Sequence, residues 1–540
     1  MTQPDVRAAA ERWIADDVDP RAQDELRELL DSPELADRMS GMPRFGTAGL
    51  RAPVRAGANG MNRAVVVRTT AGVASWLVQQ GLGGGIVVVG RDARHGSEDF
   101  AEDAAGVLSA AGFDVRVLPE PLPTPVLAHA ARALDAVAGI QITASHNPPQ
   151  DNGFKLYLSG GVQLVGPADT EIEAAIAKTP AANAVSRKQN WTVLESGQED
   201  YLARVSALPR GGDREVRVAA TALHGVGAKT LRRALQRAGF DDVHFVASQS
   251  EPDPDFPSVG FPNPEEPGAT DELLRLAEDI NADLAIALDP DADRCALGVR
   301  EAGTWRMLRG DETGVLLAWH VLSTLDESAP DPLVATTIVS SSMLRSIAAE
   351  FGARYAETLT GFKWLVRAGD GEGTGLVYAY EEALGHSVDP DRVRDKDGIS
   401  AAVLACDLTA SLLASGDHLL DLLDELSTEH GVHQTGQVSV RVTDLAVIPR
   451  IMERLRGEPP QELAGTAVRT RDLLPDTDAL VVTGDGGLRV VIRPSGTEPK
   501  LKCYLQVVEQ VGELPLAEAK QRAADRLEEL TRAVTALVEE

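Results

Sequence analysis

Ser145 is the residue of this chain whose surroundings point most directly to chemistry. It follows an apolar, strand-like run, Ala136 to Ile142, and it precedes Asn147 and two prolines. Proline donates no backbone hydrogen bond and restricts the residue before it, so regular structure stops here. Ser145 is therefore predicted to lie on a short, stiff loop at the carboxyl end of a strand, where open α/β sheets place their ligands.

A serine hydrolase is disfavoured at this position. Ser145 and His146 are neighbours in sequence and do not easily form a nucleophile pair, and no Gly-x-Ser-x-Gly elbow surrounds the serine. An ordinary turn residue is the plain alternative for a Ser-His pair taken alone. A serine that handles phosphate would instead need a cation and a cradle for an anion, and the chain contains candidates for both.

The candidate cation site follows another apolar run and contains three aspartates at alternate positions, Asp289, Asp291 and Asp293. Residues two apart on an extended segment face the same side, so these carboxylates can converge. Their like charges would repel without a cation, and a few hard oxygen ligands favour Mg²⁺. A calcium EF-hand loop would need glycine and glutamate where this chain has Arg294 and Arg300. A solvated acidic turn remains the alternative, although Arg294 favours a site that also receives an anion.

The candidate anion cradle lies near the end of the chain, after a strand-like run from 487 to 492. It combines a guanidinium, two hydroxyls and a glycine backbone N–H, from Arg493, Ser495, Gly496 and Thr497. Such groups make a nest suited to phosphate. A polar turn between two strands is the alternative for this segment.

Together the three segments resemble the α-D-phosphohexomutase superfamily, the phosphoglucomutases and phosphomannomutases, in the family's order and over residues 44–504. The resemblance implies that Ser145 carries the transferable phosphate and that the three aspartates bind one Mg²⁺ together with a phosphoserine oxygen. It implies that the 493–497 loop holds the substrate's non-reacting phosphate. Lys155 aligns with a lysine proposed to act in proton transfer.

A fourth segment, Glu382 to His386, corresponds to the family's sugar-reading loop. Glu382 can accept hydrogen bonds from two neighbouring sugar hydroxyls, and His386 could exchange a proton near neutral pH. The bacterial phosphomannomutase pattern has a serine where this chain has Leu384, so one polar contact with the sugar is missing. The segment instead resembles the branch of phosphoglucomutases that includes phosphopentomutases, as do residues 44–51 and 395–398.

The resemblance carries over three more assignments. Arg51 would be catalytic and lie near the reacting phosphate, with one more surface arginine as the alternative, and Arg294 is also predicted to be catalytic. The loop that distinguishes the sugar's two binding orientations would contain Thr360, Gly361 and Lys363. Phe362 stands where bacterial phosphomannomutases often have histidine, so the polar contact falls to Lys363.

The composition indicates a multidomain globular protein. The chain has 540 residues and is 43% apolar, which suggests roughly three or four domains. A formal net charge of −30 disfavours nucleic acid or an anionic membrane as partner, because both require a basic face. The predicted substrate is itself an anion, but distant charges fade within ~8 Å at physiological salt. Nearby arginines, lysines and the metal are therefore expected to dominate the site.

The chain is predicted to be cytoplasmic. Its three cysteines, Cys295, Cys406 and Cys503, are far apart and odd in number, as expected for thiols in a reducing compartment. The N-terminus lacks the basic start and apolar core of a signal peptide, and no apolar run approaches ~18 residues. No protein partner is required by any feature of the sequence.

Helix-like and strand-like segments alternate in a pattern that recurs about three times before Gly431, which predicts parallel sheets covered by helices. The predicted strands include Val216 to Ala219 and Leu284 to Leu288. Proline-rich residues 251–267 are predicted to form a long loop. The predicted fold is α/β: three similar α/β domains with mixed, largely parallel sheets and a C-terminal α+β domain. The family resemblance implies a heart shape around a central cleft. The predicted domains are 1–208 with the phosphoserine loop, 209–308 with the metal loop, 309–432 with the sugar loop and 433–540 with the phosphate loop.

These observations predict a phospho-sugar mutase that interconverts hexose 1-phosphate and hexose 6-phosphate of glucose, mannose or both. It would act through phosphoserine and a bisphosphate intermediate, with Mg²⁺ and a sugar bisphosphate primer. A phosphopentomutase acting on ribose or deoxyribose 1-phosphate is one alternative, and a phosphoserine-type sugar phosphatase is another. A non-catalytic sugar-phosphate sensor is a third, which the intact Ser145, Lys155 and aspartates disfavour.

Overall fold

A computed structural model of the chain describes residues 3–46, 49–326, 330–442, 444, 446–495 and 500–539. Two compact units are distinguished by their internal contacts. The first contains Met1–Leu308 with Gly385–Ser411, and the second contains Arg309–Leu384 with Leu412–Glu540. Four principal sheets confirm the predicted four-domain α/β fold, with mixed sheets in the first three-quarters of the chain.

The first sheet is mixed. Its strands are Leu50–Pro53 (β1), Ile86–Arg91 (β2), Asp114–Val117 (β3), Ala138–Ile142 (β4), Asp151–Leu158 (β5), Val162–Gln163 (β6) and Thr192–Val193 (β7). The helices of this region are Gln3–Asp16 (α1), Pro20–Glu28 (α2), Leu35–Arg38 (α3), Arg63–Gln79 (α4), Ser97–Ala110 (α5), Thr124–Ala133 (α6), Ala168–Ile176 (α7) and Gly197–Val205 (α8). The strand order is β1-β5-β4-β2-β3-β7, and β6 pairs with β5. Strands β4, β2, β3 and β7 run parallel, whereas β5 is antiparallel to both β1 and β4.

Local sequence explains the main elements of this sheet. Strands β2 and β4 are almost entirely apolar and buried, as expected for parallel strands covered on both faces. Helix α4 begins where the Asn62 side chain accepts a hydrogen bond from the Val65 N–H, a standard N-cap. Gly72 lets α4 approach α7 closely, because a Cβ there would lie 2.4 Å from Ile176 Cγ1.

The second sheet also belongs to the first unit. Its strands are Val218–Thr221 (β8), Val243–Phe245 (β9), Leu284–Leu288 (β10), Cys295–Glu301 (β11) and Thr304–Met307 (β12), with helices Gly227–Arg237 (α9) and Asp271–Asp279 (α10). The order is β12-β11-β10-β8-β9, in which β10, β8 and β9 are parallel. Residues 251–267 contain no helix or strand, so the predicted long loop is confirmed.

The third sheet lies in the second unit. Its elements are Gly310–Ser323 (α11), Leu333–Thr337 (β13), Met343–Glu350 (α12), Arg354–Thr358 (β14), Phe362–Leu365 (α13) and Leu376–Glu381 (β15). Strand β13 is parallel to both β14 and β15, and their carboxyl ends therefore meet at one edge. The chain then returns to the first unit with Gly385–Ser387 (β16) and most of Gly398–Ser415 (α14).

Helix α14 is a core helix of the first unit over residues 398–411. It is the one described helix long and apolar enough to cross a membrane, so the expectation that no apolar run approaches that length was wrong. Of this helix, 72% is buried inside the protein. Its Asp407 is fully buried and accepts hydrogen bonds from the backbone N–H groups of Arg210 and Gly211. The apolar composition of α14 is thus explained by burial within the fold.

The C-terminal domain is antiparallel. Helix Leu419–His430 (α15) precedes it, and its own elements are Val432–Arg441 (β17), Val447–Gly457 (α16), Glu462–Leu463 (β18), Thr466–Asp472 (β19), Leu480–Gly484 (β20), Arg489–Pro494 (β21), Lys500–Glu509 (β22) and Leu516–Glu539 (α17). The order β17-β22-β21-β20-β19-β18 is antiparallel throughout, and α16 and α17 cover its apolar face. This arrangement confirms the predicted α+β architecture at the end of the chain.

Candidate active site

Ser145 lies three residues beyond β4, on the predicted loop at the carboxyl end of a strand. Its backbone has φ of 53°, a left-handed conformation that is unfavourable for most residues other than glycine. The Thr143 hydroxyl accepts a hydrogen bond from the Ser145 N–H at 2.9 Å, which helps to hold this conformation. The serine is almost completely buried.

Arg94 binds the backbone of the Ser145 loop through its carbonyl groups. Its guanidinium donates to the carbonyl oxygens of Ser145 at 2.7 Å and Asn147 at 2.5 Å. It also donates to the carbonyls of Pro148 at 2.8 Å and Asp151 at 3.1 Å. One side chain therefore fixes four carbonyl groups of the loop. Burial lowers the pKa of Arg94, although nearby carboxylates, first among them Asp92, oppose the shift.

The sequence analysis missed Arg94. A signal was present, because Arg94 follows β2 directly and β2 is the parallel neighbour of β4. Loops at the carboxyl ends of adjacent parallel strands meet, so an arginine in one can reach the backbone of the other. The neighbouring Phe256, from the 251–267 loop, lies 4.8 Å from the Arg94 guanidinium and covers it.

The three aspartates after β10 form a buried cluster. Asp289, Asp291 and Asp293 are each 0% exposed, and one carboxylate oxygen from each lies within 4.8 Å of the others. Within the described part of the chain, Asp291 Oδ1 and Asp293 Oδ1 are buried and have no hydrogen-bond partner. Buried carboxylate oxygens need such partners, so this donor set fits a hard divalent cation.

Ser145 contacts this cluster directly. Its Oγ donates a hydrogen bond to Asp289 Oδ2 at 2.8 Å, across 144 positions of sequence. The backbone N–H of Arg294 donates to the other oxygen, Asp289 Oδ1, at 3.0 Å. The structure thus brings together the serine loop and the aspartate loop that the sequence placed in two different domains.

Two lysines offset part of the negative charge of the cluster. Lys155 Nζ lies 2.6 Å from Asp291 Oδ2 and 2.7 Å from Asp293 Oδ2, and Lys396 Nζ lies 3.1 Å from Asp293 Oδ2. Lys396 is also 3.5 Å from Asp395 Oδ1. The sequence analysis noted residues 395–398 only as a likeness to one branch of the family and gave Lys396 no role.

The pKa values of these groups follow from burial and from their neighbours. Burial, reinforced by repulsion from the other two aspartates, raises the pKa of Asp289 well above its usual value. Burial would also raise the pKa of Asp293, but Lys155, Lys396 and other cations outweigh it and lower that pKa. Burial alone would lower the pKa of Lys155, whereas its two carboxylate partners raise it. Full ionisation of the cluster is therefore unfavourable without a further cation.

Two predicted arginines lie beside the same loops. Arg294 Nε is 3.8 Å from Asp293 Oδ1. Arg51, on β1, donates from Nη1 to Asn147 Oδ1 at 2.9 Å, so it contacts the Ser145 loop and is not an isolated surface arginine. Burial is the main cause of the lowered pKa of Arg51. Both guanidinium groups therefore place positive charge beside the serine and aspartate loops.

His386 is completely buried. Burial lowers its pKa to about 3 despite a hydrogen bond with the backbone of Cys295, so burial favours the neutral imidazole. Proton exchange by His386 near neutral pH stays a prediction, as does the role of Lys155 in proton transfer.

The remaining predicted residues lie in the second unit. Glu382 follows β15 and accepts hydrogen bonds at Oε2 from the hydroxyls of Thr337 at 3.3 Å and Ser340 at 3.2 Å. Thr360 and Gly361 form the turn before α13, where Gly361 has φ of 108°. Lys363, within α13, has its Nζ 6.0 Å from the Trp364 ring centroid.

The predicted phosphate loop is described only in part. Arg493 lies on β21 opposite Lys502 of β22. The N–H of Ser495 donates to the carbonyl of Lys500 at 2.8 Å, which closes the loop between the two strands. Gly496 and Thr497 lie outside the described residues.

Sequence comparison identifies the family. The phosphoglucomutase/phosphomannomutase alpha/beta/alpha domains I, II and III match residues 42–183, 199–303 and 309–430, and the C-terminal domain of the same family matches residues 438–521. The chain belongs to the phosphoglucomutase/phosphomannomutase family.

Individual family members resemble the chain over most of their length. A Haemophilus influenzae protein named "Probable phosphomannomutase" is 43% identical and covers 83% of this chain and 93% of its own. A Mus musculus phosphopentomutase is 33% identical over 92% of this chain and 89% of its own. The solved structure of a phosphoglucomutase/phosphomannomutase family protein from Burkholderia thailandensis shares the fold, with a TM-score of 0.71 at 20% identity, over 91% of this chain and 97% of its own.

Within this phosphoglucomutase/phosphomannomutase chain, the predicted sugar-reading segment contains Leu384. Leu384 is buried and has φ of 63°, so an apolar side chain occupies a left-handed turn beside Glu382. A leucine side chain forms no hydrogen bonds. The missing polar contact with the sugar at this position stays a prediction.

Proposed function

We propose that the protein is a phospho-sugar mutase that interconverts hexose 1-phosphate and hexose 6-phosphate, of glucose, mannose or both, through phosphoserine 145 and a sugar bisphosphate. The observation that carries this proposal is the contact of Ser145 Oγ with Asp289 inside a buried cluster of three carboxylates. A serine with only a structural role in a turn would not need a buried carboxylate as its hydrogen-bond partner. The family assignment supports the same reaction.

Mg²⁺ is the cation that this donor set suits best. Asp289, Asp291 and Asp293 would hold it, and when bound it would draw charge from the phosphoryl oxygens. Arg51 and Arg294 supply fixed positive charge on the protein side. Preorganised charge of this kind is the main means of accelerating phosphoryl transfer, which has little other chemistry for a protein to perform.

In the first half-reaction the distal hydroxyl oxygen of the sugar bonds to phosphorus while the bond from phosphorus to Ser145 Oγ breaks. The proton of that hydroxyl ends on Ser145 Oγ, and we propose that Lys155 relays it. The sugar bisphosphate then turns end over end, and Ser145 Oγ takes the other phosphoryl group as its proton returns to the sugar oxygen. Arg94 keeps the serine loop in place throughout, since four loop carbonyls bind its guanidinium.

Recognition of the sugar and of its second phosphate is proposed for the second unit. Glu382 would accept hydrogen bonds from two sugar hydroxyls, with Lys363 beside the turn of Thr360 and Gly361. The phosphate that does not react would bind the loop that includes Arg493, Ser495, Gly496 and Thr497. A dianionic phosphate is well matched by a guanidinium, hydroxyls and backbone N–H groups.

Replacement of Ser145 tests the catalytic proposal. We expect Ser145→Ala to abolish mutase activity and to remove the phosphorylated species that intact-mass spectrometry should detect in the wild type after treatment with glucose 1,6-bisphosphate. A Ser145→Ala enzyme with wild-type activity would refute the proposal. Inorganic phosphate released without any need for a bisphosphate primer would instead identify a phosphatase.

A phosphopentomutase is the second candidate. It is favoured by the buried Leu384 and by the relatives named phosphopentomutase, including the Mus musculus protein. The two candidates are separated by kcat/KM for glucose, mannose and ribose 1-phosphates, each measured with its own bisphosphate primer. A ribose value far above both hexose values would replace the hexose proposal.

We also propose that the protein acts in the cytoplasm on free sugar phosphates, without an obligatory protein partner. All three cysteines are buried free thiols, which fits a reducing compartment. Fractionation of the native host, with the enzyme activity measured in each fraction, tests the location.

A further inference from the structure

Residues 338–342 form a short loop with contacts on two sides. The loop follows β13, and Glu382 follows β15, the parallel neighbour of β13 in the third sheet. Carboxyl ends of adjacent parallel strands meet at one edge, so the loop and Glu382 are brought together by topology alone. The Thr336 hydroxyl also donates to the carbonyl of Tyr380 at 2.9 Å, which ties the two strands just before they end.

Ser340 binds both the backbone and the side chain of Glu382. Its hydroxyl accepts a hydrogen bond from the Glu382 N–H at 3.2 Å and lies 3.2 Å from Glu382 Oε2, to which it can donate. Ser340 Oγ is also 2.8 Å from the Thr337 hydroxyl, and both serine and threonine are buried. A hydroxyl that bonds the amide and the carboxylate of one residue restricts the rotamer of that side chain.

The other side of the loop is fixed to the C-terminal domain. The carbonyl of Ser340 accepts a short hydrogen bond from Arg489 of β21. The N–H of Ser342 donates to Gln506 Oε1 at 2.8 Å, and Gln506 Nε2 donates to the Ser342 hydroxyl at 2.8 Å. Val339 packs in an apolar cluster with partners on β20, β21 and β22. The loop is therefore held on both sides and has little freedom to move.

We propose that Ser340 is a positioning residue that orients the Glu382 carboxylate for the sugar. The proposal rests on the proposed function, in which Glu382 accepts hydrogen bonds from two sugar hydroxyls. The sugar bisphosphate turns end over end between the two half-reactions. The Glu382 carboxylate must therefore keep one orientation in both, so that it can bind the sugar each time. Ser340 meets that requirement because its hydroxyl is fixed to Glu382 while its carbonyl is fixed to Arg489.

The first test is Ser340→Ala, which removes the hydroxyl but keeps the carbonyl that Arg489 binds. The variant loses the hydrogen bond from the Ser340 hydroxyl to the Glu382 carboxylate, and bonds to charged groups are stronger than neutral ones. We therefore expect KM for the preferred sugar 1-phosphate to rise about tenfold. We expect kcat to change by less than about twofold, because Ser145, Asp289 and Lys155 keep their contacts. The bound substrate and the transition state then lose the same binding energy, which raises KM without changing kcat. An unchanged KM would overturn the proposal, as would a fall in kcat as large as the rise in KM.

Ser342→Ala is the matched control. It removes a hydroxyl from the same loop, on the side that faces Gln506, and leaves the Glu382 contacts untouched. We expect its KM to stay within about twofold of the wild type. A tenfold rise in the KM of Ser342→Ala would show that any damage to the loop has the same effect, and the specific role of Ser340 would be lost. Thermal midpoints of both variants should remain close to that of the wild type.

A double-mutant cycle with Glu382→Gln distinguishes the positioning role of Ser340 from the sugar-binding role of Glu382. If Ser340 acts through Glu382, Ser340→Ala should add little to the KM of Glu382→Gln, whereas independent sites would multiply their effects. Multiplied effects would overturn the positioning role. If Glu382→Gln itself left KM unchanged, the sugar-reading role in the proposed function would fail. A raised KM in Glu382→Gln with an unaffected Ser340→Ala would overturn only the inference about Ser340.

Discussion

Ser145 combines a strained backbone with a side chain that donates a hydrogen bond to a carboxylate. Its left-handed φ of 53° is held by Thr143, which binds the Ser145 N–H, and by Arg94, which binds the Ser145 carbonyl. Strain of this kind costs of order 1–3 kcal/mol and persists only where the surroundings determine the conformation. The geometry of the serine therefore depends on residues outside the aspartate cluster.

Arg94→Lys is predicted to lower kcat by about tenfold to a hundredfold. A single ammonium cannot bond four carbonyls, so the Ser145 loop would lose its fixed conformation while the charge was kept. Steady-state kinetics measure the effect. Arg91→Lys is the control, since Arg91 is near in sequence but pairs with the exposed Glu98. A kcat for Arg94→Lys equal to that of the control would contradict the role of Arg94.

Residue types and spacing pointed to Ser145 and the three aspartates, which follow apolar strands where the sequence marks both the element and its end. Lys155 was proposed from the family resemblance alone, and it lies within β5. Arg94, Lys396 and Ser340 were not predicted, because their roles arise from contacts between segments distant in sequence. The lowered pKa of His386 was not predicted either, because burial causes it and no local sequence pattern reports that burial.

At the scale of elements, the metal loop depends on a close approach between two strand ends. Gly225, in the loop after β8, lies against Pro290 in the loop after β10, and the N–H of Val226 donates to the Pro290 carbonyl at 2.8 Å. A Cβ on Gly225 would lie 2.2 Å from Pro290 Cα, a distance at which the backbone must move. The glycine is required by this contact and not by a left-handed φ.

Gly225→Ala is predicted to displace the Asp289 loop and to raise the Mg²⁺ concentration needed for half-maximal activity by about tenfold or more. The reason is that the three carboxylates would no longer converge on one point. Titration of activity with Mg²⁺ measures this change. Gly212→Ala is the control, because a Cβ there would meet nothing within 4 Å. Equal Mg²⁺ requirements in the two variants would refute the prediction.

Most elements were predictable from their apolar periodicity, and β10 was predicted with its observed bounds, Leu284–Leu288. The strand expected at 216–219 instead forms at Val218–Thr221. Its register is set by pairing with β10, where Leu284 faces Val218. Pairing partners are a property of the sheet, so the sequence of one strand could not fix its ends.

At the scale of the whole molecule, a partly buried histidine, His433, couples stability to pH. Burial lowers the pKa of His433 from 6.5 to about 4. The unfolded chain therefore binds a proton on this residue near pH 6.5, whereas the folded protein resists protonation until about pH 4. More protons are bound in the unfolded state over that interval, so the contribution of His433 to stability is lost as the pH falls from 6.5 towards 4.

His433→Gln is predicted to reduce this loss of stability. Between about pH 7 and about pH 5 the wild type should lose about 2 kcal/mol more of its unfolding free energy than the variant. Urea unfolding at the two pH values measures the difference. His433→Asn, which also removes the titratable ring, should show the same reduced pH dependence. An identical pH dependence in His433→Gln and the wild type would contradict the assignment.

Alternation of helices and strands was enough to predict four domains and the change to an antiparallel sheet near the C-terminus. The division into two units was not predictable, because residues 385–411 follow the third sheet in sequence but pack with the first unit. Apolar composition identifies α14 as buried or membrane-spanning, yet it carries no information on which core the helix joins. The hydrogen bonds between Asp407 and its backbone partners join α14 to the core of the first unit.

The discontinuity of the first unit has a consequence for how the protein is made. A ribosome that has finished Leu308 has delivered Ser145 and all three aspartates, but neither Lys396 nor α14. Translation of the intervening stretch takes on the order of ten seconds at ~10 residues per second. Throughout that interval the N–H groups that Asp407 will bind lack this partner, and the core that α14 fills is incomplete. A nascent chain halted after Leu308 should therefore be a substrate for chaperones and proteases, not an autonomous half-enzyme.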